Sequence, residues 1–143
     1  MFAVVRVALT ELWHRDIRST LGLQVHGFPN LFTVGGPLAP ATAFCNMTTC
    51  LQQRVDWVSD CIAYVTAQGK HCIETTAEQE EWWVSHHDEV ANATLLVETN
   101  SWYTGANIEG KPRRLLTYVG GVGEYRRICD EVQASGYAGF AIS

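Results

Sequence analysis

Positive charge is scarce in this sequence: 10 Lys and Arg stand against 15 Asp and Glu, a net charge of −5 over 143 residues. No basic stripe forms, which argues against nucleic acid as a partner. The same sign of charge argues against an acidic membrane surface. No apolar run approaches the roughly 18–20 residues that cross a bilayer. Met1 to Leu9 is apolar but carries Arg6 inside it, without a basic start or a clean small-residue cleavage site, so it does not read as a signal peptide. Neither C-x-x-C nor H-x-x-x-H spacing occurs, which removes the common zinc patterns. The five cysteines, Cys45, Cys50, Cys61, Cys72 and Cys129, are odd in number and loosely spaced. That favours reduced thiols in a cytoplasmic protein over a disulfide framework. It also speaks against glycosylation at the triplets Asn46-Met47-Thr48 and Asn92-Ala93-Thr94.

What is present is the composition of a globular domain, 47% hydrophobic and 17% charged, without internal repeats or low-complexity stretches. Leu31 to Val34 is a short β-prone run that Gly35-Gly36-Pro37 stops, so it reads as a buried strand and turn. Leu38 to Cys45 reads as a loop. Asn46 or Thr48 offers an N-cap. Leu51, Val55, Val58, Ile62 and Val65 then form one helical stripe, with Trp57, Cys61 and Tyr64 beside it, and Gly69 as the stop. A second helix begins at Thr75 or Thr76, either of which can form a capping box, and runs to about Leu95. Asn100 to Pro112 is a loop. Leu115 to Val119 reads as a strand, Gly120 to Gly123 as a turn, and Tyr125, Ile128, Cys129 and Val132 as the face of a third helix ended by Gly136. Phe140 to Ile142 reads as a last strand. So few strands do not complete a sheet, and the chain looks like part of something larger.

Five places could carry chemistry. Leu115 to Arg126 has the strand–glycine turn–helix layout of a phosphate-binding turn, but Arg126 stands where the third glycine of G-x-G-x-x-G belongs. A plain strand-to-helix connection is favoured there. His86 and His87 adjoin Asp88 and Glu89, with Cys72 in the same region. Neighbouring helical residues point about 100° apart, so a solvated helix face is favoured over a metal site. Cys45 and Cys50 flank a helix start with His26 upstream, yet free cysteine is most often a small buried hydrophobe. The turn and helix start from Leu31 to Met47 present free amide N–H groups suited to a negatively charged group, a plain turn being the alternative. The loop Ser101 to Asn107 holds Trp102 and Tyr103, which loop chemistry does not require. Such aromatics contact ligands or lock onto a neighbouring domain.

Four blocks give these candidates a context. Leu21 to Phe32 (LGLQVHGFPNLF), Ser101 to Pro112 (SWYTGANIEGKP), Tyr118 to Val132 (YVGGVGEYRRICDEV) and Gly136 to Phe140 (GYAGF) resemble, in order, blocks of the Baeyer–Villiger monooxygenases. These are the cyclohexanone, cyclopentanone and phenylacetone monooxygenase relatives. The resemblance covers residues 13–143, the C-terminal portion of such an enzyme, and leaves 1–12 as a divergent N-terminal segment. It implies an α/β fold class: an incomplete piece of a split FAD-binding Rossmann-like domain, mostly helices with a few short strands. Relatives use FAD and NADPH to insert an oxygen atom from O2 into ketones, giving esters or lactones. By this resemblance Gly36, Pro37, Asn46 and Met47 lie by the flavin ring, Ala41, Thr42, Ala43 and Phe44 border the substrate pocket, and Trp102 contacts the nicotinamide cofactor or gates the pocket.

The departures are specific. Where relatives follow Gly-Pro with Gly-Ser-Pro or similar, this chain has Leu38-Ala39-Pro40, and the loop to Asn46 is slightly longer. The family's two glycine-rich fingerprints, its F-x-G-x-x-x-H-x-x-x-W signature and its active-site arginine are not in the sequence. The chain alone is therefore expected to be inactive and to retain no FAD or NADP(H), with the missing N-terminal part as its partner and a small ketone as substrate of the intact enzyme. The alternative is a non-catalytic binding or structural module, or a truncated product without function.

Overall fold

A computed structural model describes residues 7–143. The first six residues of the divergent segment, Arg6 among them, lie outside the described residues. In chain order the elements are α1 (Leu9–Arg15), α2 (Met47–Ala67), β1 (Ile73–Thr75), α3 (Ala77–Asn92), α4 (Val122–Ala134) and β2 (Phe140–Ile142). Two 3-10 turns, Leu95–Glu98 and Trp102–Thr104, lie between α3 and α4. β1 and β2 form a two-stranded antiparallel sheet with Glu74 opposite Ala141. The architecture is thus mixed and mostly helical, with two short strands. No described helix is long and apolar enough to cross a membrane, and the five cysteines are free.

The helix ends follow local chemistry. Asn46 caps α2, its side chain accepting from the Thr49 N–H at 3.3 Å. Thr76 caps α3 by accepting from the Gln79 N–H at 3.2 Å. α2 closes in a Schellman motif: Gly69 has φ +66°, and the Gly69 and Lys70 N–H groups donate to Thr66 O and Val65 O. Thr75 is not a helix start but the last residue of β1, and α3 stops at Asn92, leaving Leu95 78% exposed on the following turn.

The core is aromatic. Trp57, Trp83, Tyr118, Tyr125 and Tyr137 are buried together with Leu21, Leu23 and Leu38. Buried ring N–H and O–H groups take partners here, except the Tyr137 hydroxyl, which has none among the described residues. Trp57 Nε1 donates to Cys129 O at 3.0 Å, Trp83 Nε1 to Leu38 O at 3.2 Å, and the Tyr125 hydroxyl to Leu21 O at 2.7 Å. These bonds tie α2 to α4, α3 to the Leu38 turn, and α4 to the Leu21 segment.

Three expectations need correction. Leu31 to Val34 is no strand and enters a turn at Val34: Thr33 N–H donates to Leu23 O, and Leu31 and Val34 are exposed. Leu115 to Val119 makes only an isolated parallel bridge, Thr117 with Ala39, flanked by bonds from Leu38 N to Leu116 O and from Tyr118 N to Ala39 O. On α2 the buried face is Cys50, Arg54, Trp57, Cys61 and Val65, while Val55 and Ile62 face outward. Trp57 and Cys61 set that face because the rings of Tyr137 and Phe140 pack on Trp57 at 5.2 and 5.9 Å.

Candidate functional site

The Gly35–Pro40 turn is held from below by two close approaches. A Cβ on Gly36 would stand 2.4 Å from Thr33 Oγ1 and 2.7 Å from Gly22 O, and one on Gly22 would stand 2.4 Å from Ala39 Cβ. Only glycine fits at both places. Ser19 Oγ donates to Pro37 O at 2.8 Å, fixing the turn to the Leu21 segment. Leu38 follows at φ +67°, fully buried, a conformation a branched side chain adopts only under constraint. Its side chain in the core, its N–H on Leu116 O and its carbonyl under Trp83 supply that constraint.

The next segment returns over the start of α2. Ala41 N–H donates to Thr117 Oγ1 at 3.0 Å, and Phe44 and Cys45 N–H groups donate to Ala41 O. Thr42 and Ala43 are exposed, with Ala41 and Phe44 half-buried on either side. Met47 reaches back to the turn, its Cε 3.9 Å from where a Gly35 Cβ would stand. Met47, next to the cap residue Asn46, is thereby brought against the turn that contains Gly36 and Pro37.

The aromatic loop meets the Ala41–Phe44 segment. Trp102 is 60% exposed and stacks on Tyr103 at 3.8 Å. Tyr103 in turn meets Phe44 edge-on at 6.2 Å, and its carbonyl accepts from Leu116 N–H. The resemblance assigns a role to Trp102 and none to Tyr103. It is the ring that links the loop to the Ala41–Phe44 segment.

Sequence reasoning missed Arg54. Its guanidinium is fully buried, lies 5.6 Å over the Tyr125 ring and donates from Nη2 to Pro40 O. Nε and Nη1 find no acceptor among the described residues. A charged residue in a helix reads as solvent-facing, and only its helical spacing with Cys50, Trp57 and Cys61 could have placed Arg54 on the buried face.

The other candidates resolve as structure. His87 is buried between Asp88 and Thr117 O, and burial pushes its ring below the usual imidazole range. His86 stacks on Trp82 and bonds the Tyr118 hydroxyl. No group of three or more metal-ligating side chains occurs among the described residues. Burial pushes the Cys45 thiol up to about 11, so it is no thiolate at neutral pH. The Gly120 turn is shaped by packing: a Cβ there would stand 2.2 Å from the Tyr118 hydroxyl. A cavity of about 250 Å³ lies apart from the turn, lined by Asp88, Asn92, Thr104, Arg113 and Arg114 among others. Its lining takes Asp88, Thr104 and Leu115 from stretches singled out in the sequence, but none of the residues expected at the flavin or the substrate pocket.

No protein-family model matches the chain. Individual proteins do. Over 135 residues it is 59% identical to the acetone monooxygenase (methyl acetate-forming) of Gordonia sp. (strain TY-5), covering 94% of this chain and 25% of that protein. It is 33% identical to a Baeyer–Villiger monooxygenase of Pseudooceanicola batsensis, covering 92% of this chain and 24% of the relative. A solved steroid monooxygenase bound to NADP superposes with a TM-score of 0.88 at 42% identity, covering 99% of this chain and 26% of that one. OTEMO in complex with FAD and NADP superposes with a TM-score of 0.85 at 35% identity, covering 96% and 25%. The chain spans about a quarter of the length of the relatives it matches. Over that quarter, its homologues and structural neighbours are Baeyer–Villiger monooxygenases.

Proposed function

We propose that residues 13–143 are the C-terminal part of the FAD domain of a monooxygenase that uses FAD and NADPH to insert one oxygen atom of O2 beside a ketone carbonyl. The observation that carries this reading is the 59% identity to an acetone monooxygenase over 94% of the chain. In the intact enzyme NADPH supplies two electrons, one oxygen atom enters the ester or lactone, and the other leaves as water. Bound flavin supplies the reactivity toward O2.

Two features of the site fit a flavin ring. The Gly35 turn is bare: Gly35 is exposed, and the nearest atom to its missing Cβ is Leu51 Cδ2 at 3.6 Å. Beneath it the buried Arg54 holds two nitrogens without acceptors. In this reading Gly36 and Pro37 border the ring, and the free N–H groups at the start of α2 by Asn46 and Met47 face its electron-rich edge. Ala41 to Phe44 shape one wall of the ketone pocket. Trp102 touches the nicotinamide cofactor or gates the pocket, with Tyr103 transmitting its position to Phe44.

The sequence lacks the glycine-rich loops that grip a dinucleotide pyrophosphate. We therefore expect the 143-residue chain to be colourless after gel filtration and inactive alone. Joining it to the remaining three quarters of the acetone monooxygenase tests the reading. A yellow protein that oxidises NADPH faster with acetone or cyclohexanone, and forms the ester or lactone, supports it. A folded but flavin-free product overturns it.

A further inference from the structure

Arg54 is fully buried, yet none of the ion pairs among the described residues includes it. A guanidinium is in effect always charged, and an uncompensated charge in the interior is costly. Its Nη2 is used on Pro40 O, while Nε and Nη1 are not used at all. Nη1 lies 4.0 Å from the point where a Gly35 Cβ would stand, close to Leu51 Cδ2 and Met47 Cε. Any other residue type would place a side chain there. With glycine, the turn itself puts no side chain at that point, which Leu51 Cδ2 at 3.6 Å and Met47 Cε at 3.9 Å flank.

A second source of positive potential lies close by, since the Cε of Met47, the first residue of α2, is 3.9 Å from the same point. α2 is 21 residues long and begins at Met47. Its Thr49 N–H is taken by Asn46 Oδ1 and its Cys50 N–H by Asn46 O, which leaves the first amides of the helix free. Two independent donors of positive field therefore converge on one bare patch of backbone.

We propose that Arg54 is a positioning and tuning residue for the bound flavin: with the start of α2 it forms an electropositive seat under the ring's pyrimidine edge and favours the reduced, more negatively charged form. The proposal rests on the FAD reading above. Arg54 acts through space and through Pro40, which it holds in place, and not by contact with substrate. The low-dielectric interior strengthens its field at short range, and the absence of a carboxylate partner leaves that field uncancelled.

The test uses the holoprotein made by joining this chain to the remaining three quarters of the acetone monooxygenase. The two-electron midpoint potential of the flavin and the FAD dissociation constant are measured for the unsubstituted protein, Arg54→Met and Arg54→Lys. Arg54→Met should weaken the preference for reduced over oxidised flavin about tenfold, a shift of about 30 mV to more negative potential. Arg54→Lys, which keeps the charge, should move it by much less. An Arg54→Met protein that binds FAD at an unchanged potential overturns the proposal, even if its melting temperature falls. That outcome would mean the missing acceptor is a polypeptide group. If Arg54→Met does not fold, Arg54→Gln, which retains a donor for Pro40 O, gives the same comparison with the same two outcomes. If the unsubstituted holoprotein holds no FAD, the monooxygenase reading fails first and this proposal falls with it.

Discussion

Trp83 and Trp102 are the same residue type in opposite circumstances. Trp83 has no exposed surface, bonds Leu38 O through its indole N–H and packs on Tyr118 at 5.0 Å. Trp102 is 60% exposed, and its only ring neighbour among the described residues is Tyr103, in a 3-10 turn of three residues. The first sits where α3 meets the Leu38 turn and holds the site in shape. The second sits on the site's outer face. The difference separates groups that build the site from groups free to meet a ligand, and substitutions can grade it.

The largest effect is expected at Trp83. Trp83→Ala removes a fully buried ring and strands the Leu38 carbonyl, so it should cost about 3–5 kcal/mol. A domain with total stability of roughly 5–15 kcal/mol loses much of its margin by that change. Urea titration followed by circular dichroism measures it. A cost below about 1 kcal/mol would place Trp83 outside the cooperative core.

Leu38 sharpens the comparison because it is both core and strained. Its side chain is buried in the aromatic cluster, but its φ of +67° favours glycine. Truncating a buried leucine costs about 2–5 kcal/mol, while releasing a left-handed residue returns roughly 1–2 kcal/mol. Leu38→Gly should therefore lose about 2 kcal/mol net, whereas Leu38→Ala keeps the strain and should be the less stable of the two. That order reverses the usual one for alanine and glycine, and thermal melts of the pair decide it.

These residues also show what the sequence could and could not disclose. Thr76, Asn46, Gly69 and the α4 face were legible because caps, stops and helical stripes depend on residues within a few positions. The buried face of α2 was only half legible. Trp57, Cys61 and Val65 belong to it, but Val55 and Ile62 do not. Hydropathy alone cannot tell which of two adjoining stripes meets the Tyr137 and Phe140 rings. Leu31 to Val34 and Leu115 to Val119 have strand composition, but a strand needs a partner at long range. Among the described residues Thr117 finds only Ala39. β1 was hidden by its three-residue length, and Arg54 by its charge. On the site's side of the molecule, the turn and the aromatic loop were readable from unusual residues. That Tyr103 joins Phe44 depends on the fold.

A smaller effect is expected at the start of α3. Thr76→Ala removes the cap on Gln79 N–H, which should cost about 1 kcal/mol, and Thr76→Ser should recover most of it. Both are read from the urea midpoint at constant slope. If Thr76→Ala is neutral, the start of α3 is held by Trp83 packing and not by its cap.

The smallest effect on stability is expected at Trp102. Its ring shares one face with Tyr103 and leaves the other in water, so Trp102→Ala should cost about 0.5 kcal/mol, the low end for an aromatic pair. Function should respond in the opposite order. In the protein joined to the rest of a monooxygenase, removal of an exposed ring beside Phe44 should weaken NADPH binding, or loosen the closed state that keeps water from the flavin. Thermal midpoint, NADPH affinity and the fraction of NADPH consumed without ester formation are measured on the same preparation. Trp83→Ala should move the first quantity far more than Trp102→Ala, and Trp102→Ala should move the other two at a nearly constant midpoint. If Trp102→Ala instead lowers the midpoint by as much as a core truncation while affinity and coupling stay constant, Trp102 is a packing residue of the assembled enzyme. The ligand-facing side of the comparison would then reduce to Ala41 to Phe44 and Tyr103.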